Sequence, residues 1–146
     1  MRVAIIGGGA GGFFSAIAVK SNHHDAEVVI FEKSKKVLAK VKVSGGGRCN
    51  VTNACADIKV LSQAYPRGGN FLKKAFGIFN TKHLMQWFES HNVPLVIQAD
   101  NHVFPKSQDS QSIIDCFLNE TKKKGIVIKT SCGIRSIKKV NTGLEL

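Results

Sequence analysis

The first 32 residues constrain the fold more than any other part of the chain. Residues 2–6 (RVAII) form a short apolar run that ends at Gly7, as is typical of a buried parallel strand. Apolar residues then recur at helical spacing from about residue 9 to 20, and a second apolar run, EVVIFE, occupies residues 27–32. The order strand, glycine-rich turn, helix, strand predicts a βαβ unit over residues 1–32.

The turn between the first strand and the helix has the sequence GGGAGG and contains G-x-G-x-x-G at Gly7, Gly9 and Gly12. In such turns the first glycine permits the sharp bend, the second lets the backbone approach a pyrophosphate, and the third allows helix and strand to pack closely. Glu32 ends the second strand, where a carboxylate can bind an adenosine ribose. The pattern therefore predicts binding of FAD or NAD, and the acid disfavours the 2′-phosphate of NADP.

Residues 33–70 are rich in Lys, Gly, Asn and Ser, and they fit no regular element apart from a short helical or extended piece around 37–43. Loops of this length usually have a function or are covered by something else. We interpret this segment as a region that covers a cofactor. It favours FAD over NAD, because a simple NAD domain normally continues with further βα units and short loops.

Residues 71–146 return to regular patterns. Helices are predicted at about 71–79, 81–91 and 109–124, short strands at 94–98 and 102–105, and a buried third parallel strand at 126–130. Thr81 is the predicted N-cap of the second helix, and Gly125 is the predicted stop of the third. The tail reads as the start of a β-meander. We expect an incomplete α/β, Rossmann-like FAD/NAD(P)-binding domain with three layers and a parallel sheet, forming a single domain of 146 residues.

The segment SGGGRCNVTN, residues 44–53, is the most unusual part of the sequence. Its glycines present bare N–H groups, and Arg48 offers a forked cation for a phosphate or a flavin anion. Asn50, Thr52 and Asn53 can bond ribityl hydroxyls or ring edges. The alternative is that its asparagines, Asn50 and Asn53, brace the loop's own backbone. Cys49 lies beside Arg48, but a small buried side chain is the favoured interpretation over a catalytic thiol.

The net charge of +11, from 21 Lys and Arg against 10 Asp and Glu, raises the possibility of a polyanionic partner. However, 17 of the 21 basic residues are lysines scattered along the chain, whereas arginine, which binds phosphates and bases through its fork, is scarce. We favour a solvated surface over a nucleic-acid partner. A flavin-dependent RNA-modifying or RNA-binding protein stays as an alternative function, as does a simple NAD-binding module.

Other classes of site find no support in the sequence. The four cysteines form no C-x-x-C pair and the five histidines are scattered, so no metal site is predicted. There is no secretory signal, and no apolar run approaches the roughly 18 residues of a membrane helix. We expect a cytoplasmic protein with reduced thiols and no membrane partner.

The segments IIGGGAGG, FEK, SGGGRCNVTN and NHVFPKSQDSQSIIDCFL closely resemble a family of bacterial flavoproteins known as aminoacetone-oxidase or BaiN-type NAD(P)/FAD-dependent oxidoreductases. The resemblance covers essentially all 146 residues. It implies the N-terminal part of a longer protein, inactive alone, that passes a hydride between NAD(P)H and a small-molecule substrate through FAD. It also places residues 44–53 along the cofactor towards the flavin, and it assigns no catalytic residue. The candidate cofactor-binding residues are Gly7, Gly9, Ala10, Gly11, Gly12, Glu32, Lys33, Ser44, Gly45, Gly46, Gly47, Arg48, Asn50 and Thr52.

Overall fold

The computed structural model describes residues 1–146. The strands are β1 (Arg2–Ile6), β2 (Glu27–Phe31), β3 (Thr52–Asn53), β4 (Leu95–Ile97), β5 (His102–Pro105), β6 (Val127–Lys129), β7 (Lys138–Val140) and β8 (Gly143–Glu145). The helices are α1 (Ala10–Asn22), α2 (Ala39–Val43), α3 (Ile58–Gln63), α4 (Gly69–Ile78), α5 (Thr81–Ser90) and α6 (Gln111–Lys123). Except for β3 and α3, these elements lie within a few residues of their predicted positions.

The chain divides into two compact units. Unit 1 contains Met1–Val41 and Phe117–Leu146, and unit 2 contains Lys42–Cys116. Each unit has a sheet and a set of buried apolar side chains of its own. The expectation of a single domain over residues 1–146 stays a prediction.

Unit 1 is built on a parallel sheet in the order β1-β2-β6. Ile30 at its centre is fully buried, and it pairs with Ile5 on one side and Ile128 on the other. Phe13 of α1 is also fully buried and meets Phe117 with ring centroids 5.9 Å apart. Burying each such side chain contributes about 1.5–3 kcal/mol. The α/β class, the βαβ unit and the third parallel strand are thereby confirmed.

The C-terminal part of unit 1 follows the predicted pattern. Gly125 has a φ of +64° and ends α6 as expected, because glycine enters this left-handed region without strain. Beyond β6, strands β7 and β8 pair antiparallel and form an exposed hairpin. These two strands confirm the predicted start of a meander.

Unit 2 contains an antiparallel sheet in the order β3-β5-β4. In this sheet Thr52 pairs with Val103, and Val96 pairs with Phe104. Val103 and Phe104 are buried, as is Phe88 of α5. The pairing brings the second half of the SGGGRCNVTN segment onto the edge of a packed sheet.

Helix α3 lies inside the segment 33–70, for which no regular helix beyond residue 43 is predicted. Asp57 caps it by accepting hydrogen bonds from the N–H groups of Lys59 and Val60, at 2.7 and 3.0 Å. The helix has six residues, which is too short for a helical repeat of apolar residues to be recognised.

The N-cap of α5 is Asn80, so the prediction of Thr81 is wrong by one residue. The Asn80 side chain accepts hydrogen bonds from the N–H groups of Lys82 and His83. The Thr81 hydroxyl instead donates a 2.7 Å bond to the carbonyl oxygen of Cys55. Asn and Thr are both good cap residues, and their order in the sequence does not reveal which one is used.

Candidate functional site

The glycine turn of unit 1 requires glycine at two of its three fingerprint positions. Gly7 has a φ of +109°, and its N–H donates to the carbonyl oxygen of Phe31 at 2.8 Å, which joins the end of β1 to β2. A Cβ atom on Gly12 would lie 1.9 Å from the carbonyl oxygen of Gly7. The first turn of α1 therefore packs directly on the end of β1, as in a dinucleotide-binding turn.

At Gly9, the remaining fingerprint glycine, the side-chain position faces open space. A Cβ atom on Gly9, or on Gly11 beside it, would meet no atom of the chain within 4 Å. Gly9 is the N-cap of α1 but has no side chain to cap it, and the first turn of the helix, which begins at Ala10, carries no acidic residue. The first N–H groups of α1 thus have no capping side chain, and the positive end of the helix dipole lies beside two open glycine positions, an arrangement that suits an anion such as a pyrophosphate.

Glu32 is fixed beside this turn. Its Oε2 accepts a 2.8 Å bond from the N–H of Gly8, and its Oε1 accepts from the N–H and hydroxyl of Ser34 at 2.8 and 2.7 Å. These bonds from Ser34 and Gly8 lower the pKa of Glu32 to about 2, with a smaller contribution from Lys33. The carboxylate is ionised at neutral pH and can therefore only accept hydrogen bonds. About one of its roughly four acceptor positions stays available to a ribose hydroxyl.

Three successive glycines of the SGGGRCNVTN segment adopt left-handed backbone. Gly45, Gly46 and Gly47 have φ values of +56°, +68° and +88°, in a turn that directly follows α2. A Cβ atom on Gly45 would lie 2.8 Å from both the backbone nitrogen of Asn50 and the ring of Phe104, whereas Gly46 and Gly47 face open space. Packing therefore requires glycine at position 45, and backbone conformation favours it at the next two.

Arg48 braces this turn from within unit 2. Its guanidinium lies 4.2 Å from the centroid of the Phe104 ring, its Nε donates to the carbonyl oxygen of Gly45 at 3.2 Å, and one terminal nitrogen donates to Gln108 at 3.3 Å. Arg48 was predicted to hold a phosphate or a flavin anion. In this structure two of its N–H groups already bond the chain itself, so Arg48 braces its own loop, and contact with a cofactor stays a prediction for this residue.

Cys49 is buried and takes a left-handed φ of +64°. Its N–H donates to the carbonyl oxygen of Ser44 at 2.9 Å. Burial raises the pKa of the Cys49 thiol, with a smaller opposing effect from a hydrogen bond to the Ser44 side chain. A buried, protonated thiol is a poor nucleophile, so the interpretation of Cys49 as a packing residue is confirmed.

The second half of the segment, residues 50–53, lines a cavity of about 490 Å³ in unit 2. Asn53 braces its own loop, as the alternative predicted, because its Oδ1 accepts a 2.9 Å bond from the N–H of Cys55. The side chains of Asn50 and Thr52 make no hydrogen bond within the chain. Polar groups of this half thus border open volume, while the first half is packed internally.

Sequence reasoning missed the other walls of this cavity, which include Tyr65, Phe76, Phe79 and His102. His102 is exposed, as the interpretation of a surface or half-buried residue predicts, and it pairs with Asn53 across β3 and β5. A signal existed in the strand predicted at 102–105, but the partner strand has only two residues and was not recognised. The structure contains no group of three or more His, Cys, Asp or Glu residues suited to a metal ion. None of its helices is long and apolar enough to cross a membrane.

The whole chain, residues 1–146, matches the family described as HI0933-like protein Rossmann domain. The chain belongs to this family. The assignment agrees with the parallel sheet and the glycine turn, and it places the chain in the FAD-dependent oxidoreductase superfamily. The BaiN-type resemblance is thus supported at the level of this family.

Two curated relatives are each 28% identical to the chain. One is the 3-dehydro-bile acid delta(4,6)-reductase of Clostridium scindens, aligned over 137 residues that are 94% of this chain and 32% of the reductase. The other is the ribosomal RNA dihydrouridine synthase of Escherichia coli, aligned over 143 residues, 97% of this chain and 34% of the synthase. The chain therefore spans about a third of the length of either relative.

The fold has a counterpart among experimental structures. THI4 of Thermovibrio ammonificans superposes with a TM-score of 0.60 at 14% identity, over 99% of this chain and 44% of THI4. At this identity the similarity concerns the fold alone.

Proposed function

We propose that this chain is the FAD-binding part of a BaiN-type, flavin-dependent oxidoreductase that passes a hydride between NAD(P)H and a small organic substrate. The observation that carries the proposal is the pairing of an open helix N-terminus at Gly9 with an ionised Glu32 bonded to the same turn. The family assignment and the reductase relative support it.

The residues of unit 1 fit such a cofactor. In this proposal the N–H groups at Gly9–Gly12 hold the pyrophosphate, and Glu32 accepts a hydrogen bond from the adenosine ribose. The ionised Glu32 also repels a 2′-phosphate, so that FAD is preferred to NADP at this site. Bound FAD would supply the hydride chemistry, while the protein supplies position and electrostatic environment.

The role of residues 44–53 towards the flavin stays part of this proposal. Asn50 and Thr52 are better candidates than Arg48 for contacts to the flavin, because their side chains make no hydrogen bond within the chain. The guanidinium of Arg48 already donates to Gly45 and Gln108. The catalytic acid or base is left unassigned.

Titration of the purified protein with FAD, NAD and NADP tests the proposal. We expect saturable binding of FAD and a yellow protein, with weaker binding of NAD and NADP. Gly9→Val is the sharpest variant, because Gly9 has extended backbone (φ −89°, ψ −177°) and its side-chain position is empty. It should fold normally yet lose FAD binding, since the valine would occupy the space assigned to the pyrophosphate.

Gly77→Ala is the matched control, because that position is equally open but lies in α4. It should bind FAD like the unsubstituted protein. A folded protein that ignores FAD, or a Gly9→Val variant with unchanged FAD affinity, would refute the proposed function. Tighter binding of NAD than of FAD would favour the simple NAD-binding module instead.

A flavin-dependent enzyme acting on RNA is the second candidate. It is favoured by the net charge of +11 and by the relative named as a ribosomal RNA dihydrouridine synthase. RNA affinity that persists near physiological salt, and falls steeply as salt increases, would support it. Binding that disappears at physiological salt would exclude it.

A further inference from the structure

The walls of the cavity bordered by residues 50–53 contain no acidic, lysine or arginine side chain. Its volume of about 490 Å³ falls in the range of about 300–1,000 Å³ typical of small-molecule sites. No Lys, Arg, Asp or Glu lines it, although the chain carries a net charge of +11. A charged ligand would lose solvation there without gaining a partner of opposite charge. The cavity therefore suits a neutral compound.

The polar residues of the cavity offer N–H and O–H donors to a ligand. The Oδ1 of Asn53 is occupied by the N–H of Cys55, and the Oδ1 of Asn80 is occupied by the N–H groups that it caps. The NH₂ groups of these two side chains are therefore available as donors, and the Asn50 amide and the Thr52 hydroxyl add groups that can donate as well as accept. Donors of this kind match carbonyl oxygens.

Part of the cavity lining is aromatic. Tyr65 and Phe76 meet with ring centroids 5.6 Å apart, and Phe79 lies beside them in the wall. Tyr65 is 45% exposed and Phe79 is 40% exposed, so large ring surfaces remain open to a ligand. Aromatic side chains pack well against flat rings.

His102 is held at the rim of the cavity. Its Nδ1 lies 2.8 Å from Oδ2 of Asp100, whose other oxygen accepts the backbone N–H of His102 at 3.1 Å. Asp100 therefore engages one ring nitrogen and orients the imidazole. Nε2 is the nitrogen that remains for a ligand.

We propose that this cavity binds a neutral, flat ring compound bearing carbonyl oxygens, and that this compound is the substrate of the oxidoreductase. Its role as a substrate site rests on the proposed function above. The isoalloxazine ring of a flavin has the same chemistry, and the experiment must therefore separate the two sources.

Two-dimensional ¹H–¹⁵N NMR of the purified protein, without and then with FAD, provides the test. The probe is coumarin, a neutral bicyclic lactone, and its anionic counterpart is coumarin-3-carboxylate. We expect coumarin to shift the backbone signals of Thr52, Asn53 and Thr81 saturably, and the carboxylate to shift them less. Because the first titration is done without FAD, its outcome is independent of whether the protein binds FAD.

Two variants locate the binding. Phe79→Ala removes an aromatic wall and should weaken coumarin binding about threefold to tenfold. Thr52→Val removes one hydroxyl and should weaken it about twofold or more. Matched controls are Phe71→Ala, whose side chain is 81% exposed and outside the cavity, and Thr142→Val in the β7–β8 turn. Both controls should bind coumarin normally.

Coumarin shifts that persist in the FAD-loaded protein, with the same dependence on Phe79 and Thr52, would establish a substrate site. If FAD displaces coumarin and Phe79→Ala weakens FAD binding, the flavin ring is the occupant and the substrate assignment is wrong. Absence of shifts at the cavity, or shifts that neither variant alters, would overturn the proposal entirely.

Discussion

The backbone N–H of Gly8 donates a 2.8 Å hydrogen bond to Oε2 of Glu32 and so fastens the end of β2 to the turn before α1. Two further bonds from Ser34 hold the other carboxylate oxygen. One residue thus organises the turn and presents a negative charge beside it.

The first prediction concerns Glu32→Gln. The variant keeps the shape of the side chain but places an NH₂ group against N–H donors. We expect FAD affinity to fall about tenfold or more, since a hydrogen bond to a charged group is lost. Equilibrium titration monitored by flavin fluorescence measures this, and unchanged affinity would remove Glu32 from the cofactor site.

The same carboxylate predicts a pH dependence of stability. Its pKa is about 2 in the folded protein against 4.5 as the ordinary value. A lowered pKa stabilises the fold fully above the ordinary value, and this stabilisation is lost as pH falls towards the folded pKa. The stability difference between the unsubstituted protein and Glu32→Gln should therefore be constant above about pH 5 and shrink between about pH 4.5 and 2. Urea denaturation at several pH values tests this.

A matched pair of substitutions tests the packing of α1 on β1. Gly12→Ala places a methyl group 1.9 Å from the carbonyl oxygen of Gly7 and should lower the free energy of unfolding by about 2 kcal/mol. Gly11→Ala, one residue earlier, meets no atom and should be neutral or stabilising by up to about 1 kcal/mol. Urea denaturation followed by circular dichroism distinguishes them. Equal effects would mean that the close contact is absent.

A second pair tests the left-handed turn of unit 2. Gly45→Ala and Gly46→Ala both force an alanine to a positive φ, at a cost of about 1–2 kcal/mol each. Only Gly45→Ala also crowds Asn50 and Phe104, so it should cost about 1–2 kcal/mol more. Chemical denaturation gives both values, and a Gly46→Ala variant that is the less stable of the two would contradict this geometry.

Arg48→Lys tests whether the guanidinium braces the loop. Lysine lacks the fork that reaches Gly45 and Gln108 at once, so we expect a loss of about 1 kcal/mol in the free energy of unfolding. Arg67→Lys, at an exposed position, is the control and should change nothing. The affinity for FAD should change less than about twofold. A large loss of affinity with unchanged stability would instead indicate that Arg48 contacts the cofactor.

Local patterns in the sequence were sufficient to predict the βαβ unit over residues 1–32 and its glycine turn. Residues 2–32 form consecutive elements, so residues that are close in this part of the sequence are also close in space. The run RVAII, the glycines and Glu32 therefore indicate the local structure directly. Unit 2 depends on distant pairing. The contact between β3 and β5 joins residues 52–53 to residues 102–103, and no local pattern records which segments will meet.

The candidate site also has a part that local sequence predicts and a part that depends on distant contacts. The positions of Gly7, Gly12 and Glu32 follow from a spacing rule, whereas the internal engagement of Arg48 requires Phe104, which lies 56 positions along the chain. The cavity beside residues 50–53 required knowledge of three helices and a strand at once. Phe76 and Phe79 were visible in the sequence only as apolar residues of a predicted helix, and Tyr65 lay in the segment 33–70, which has no regular pattern.

The backbone of Gly45 and Gly46 is close to the mirror image of ordinary helical backbone. At position 46 the chirality of the side chain, rather than its polarity or size, therefore limits which residue is accepted. In a chemically synthesised chain, D-alanine at position 46 should fit the observed φ and ψ, and it would also reduce the freedom of the unfolded chain. The turn would then become more stable through a residue of opposite chirality, which no gene-encoded substitution can supply.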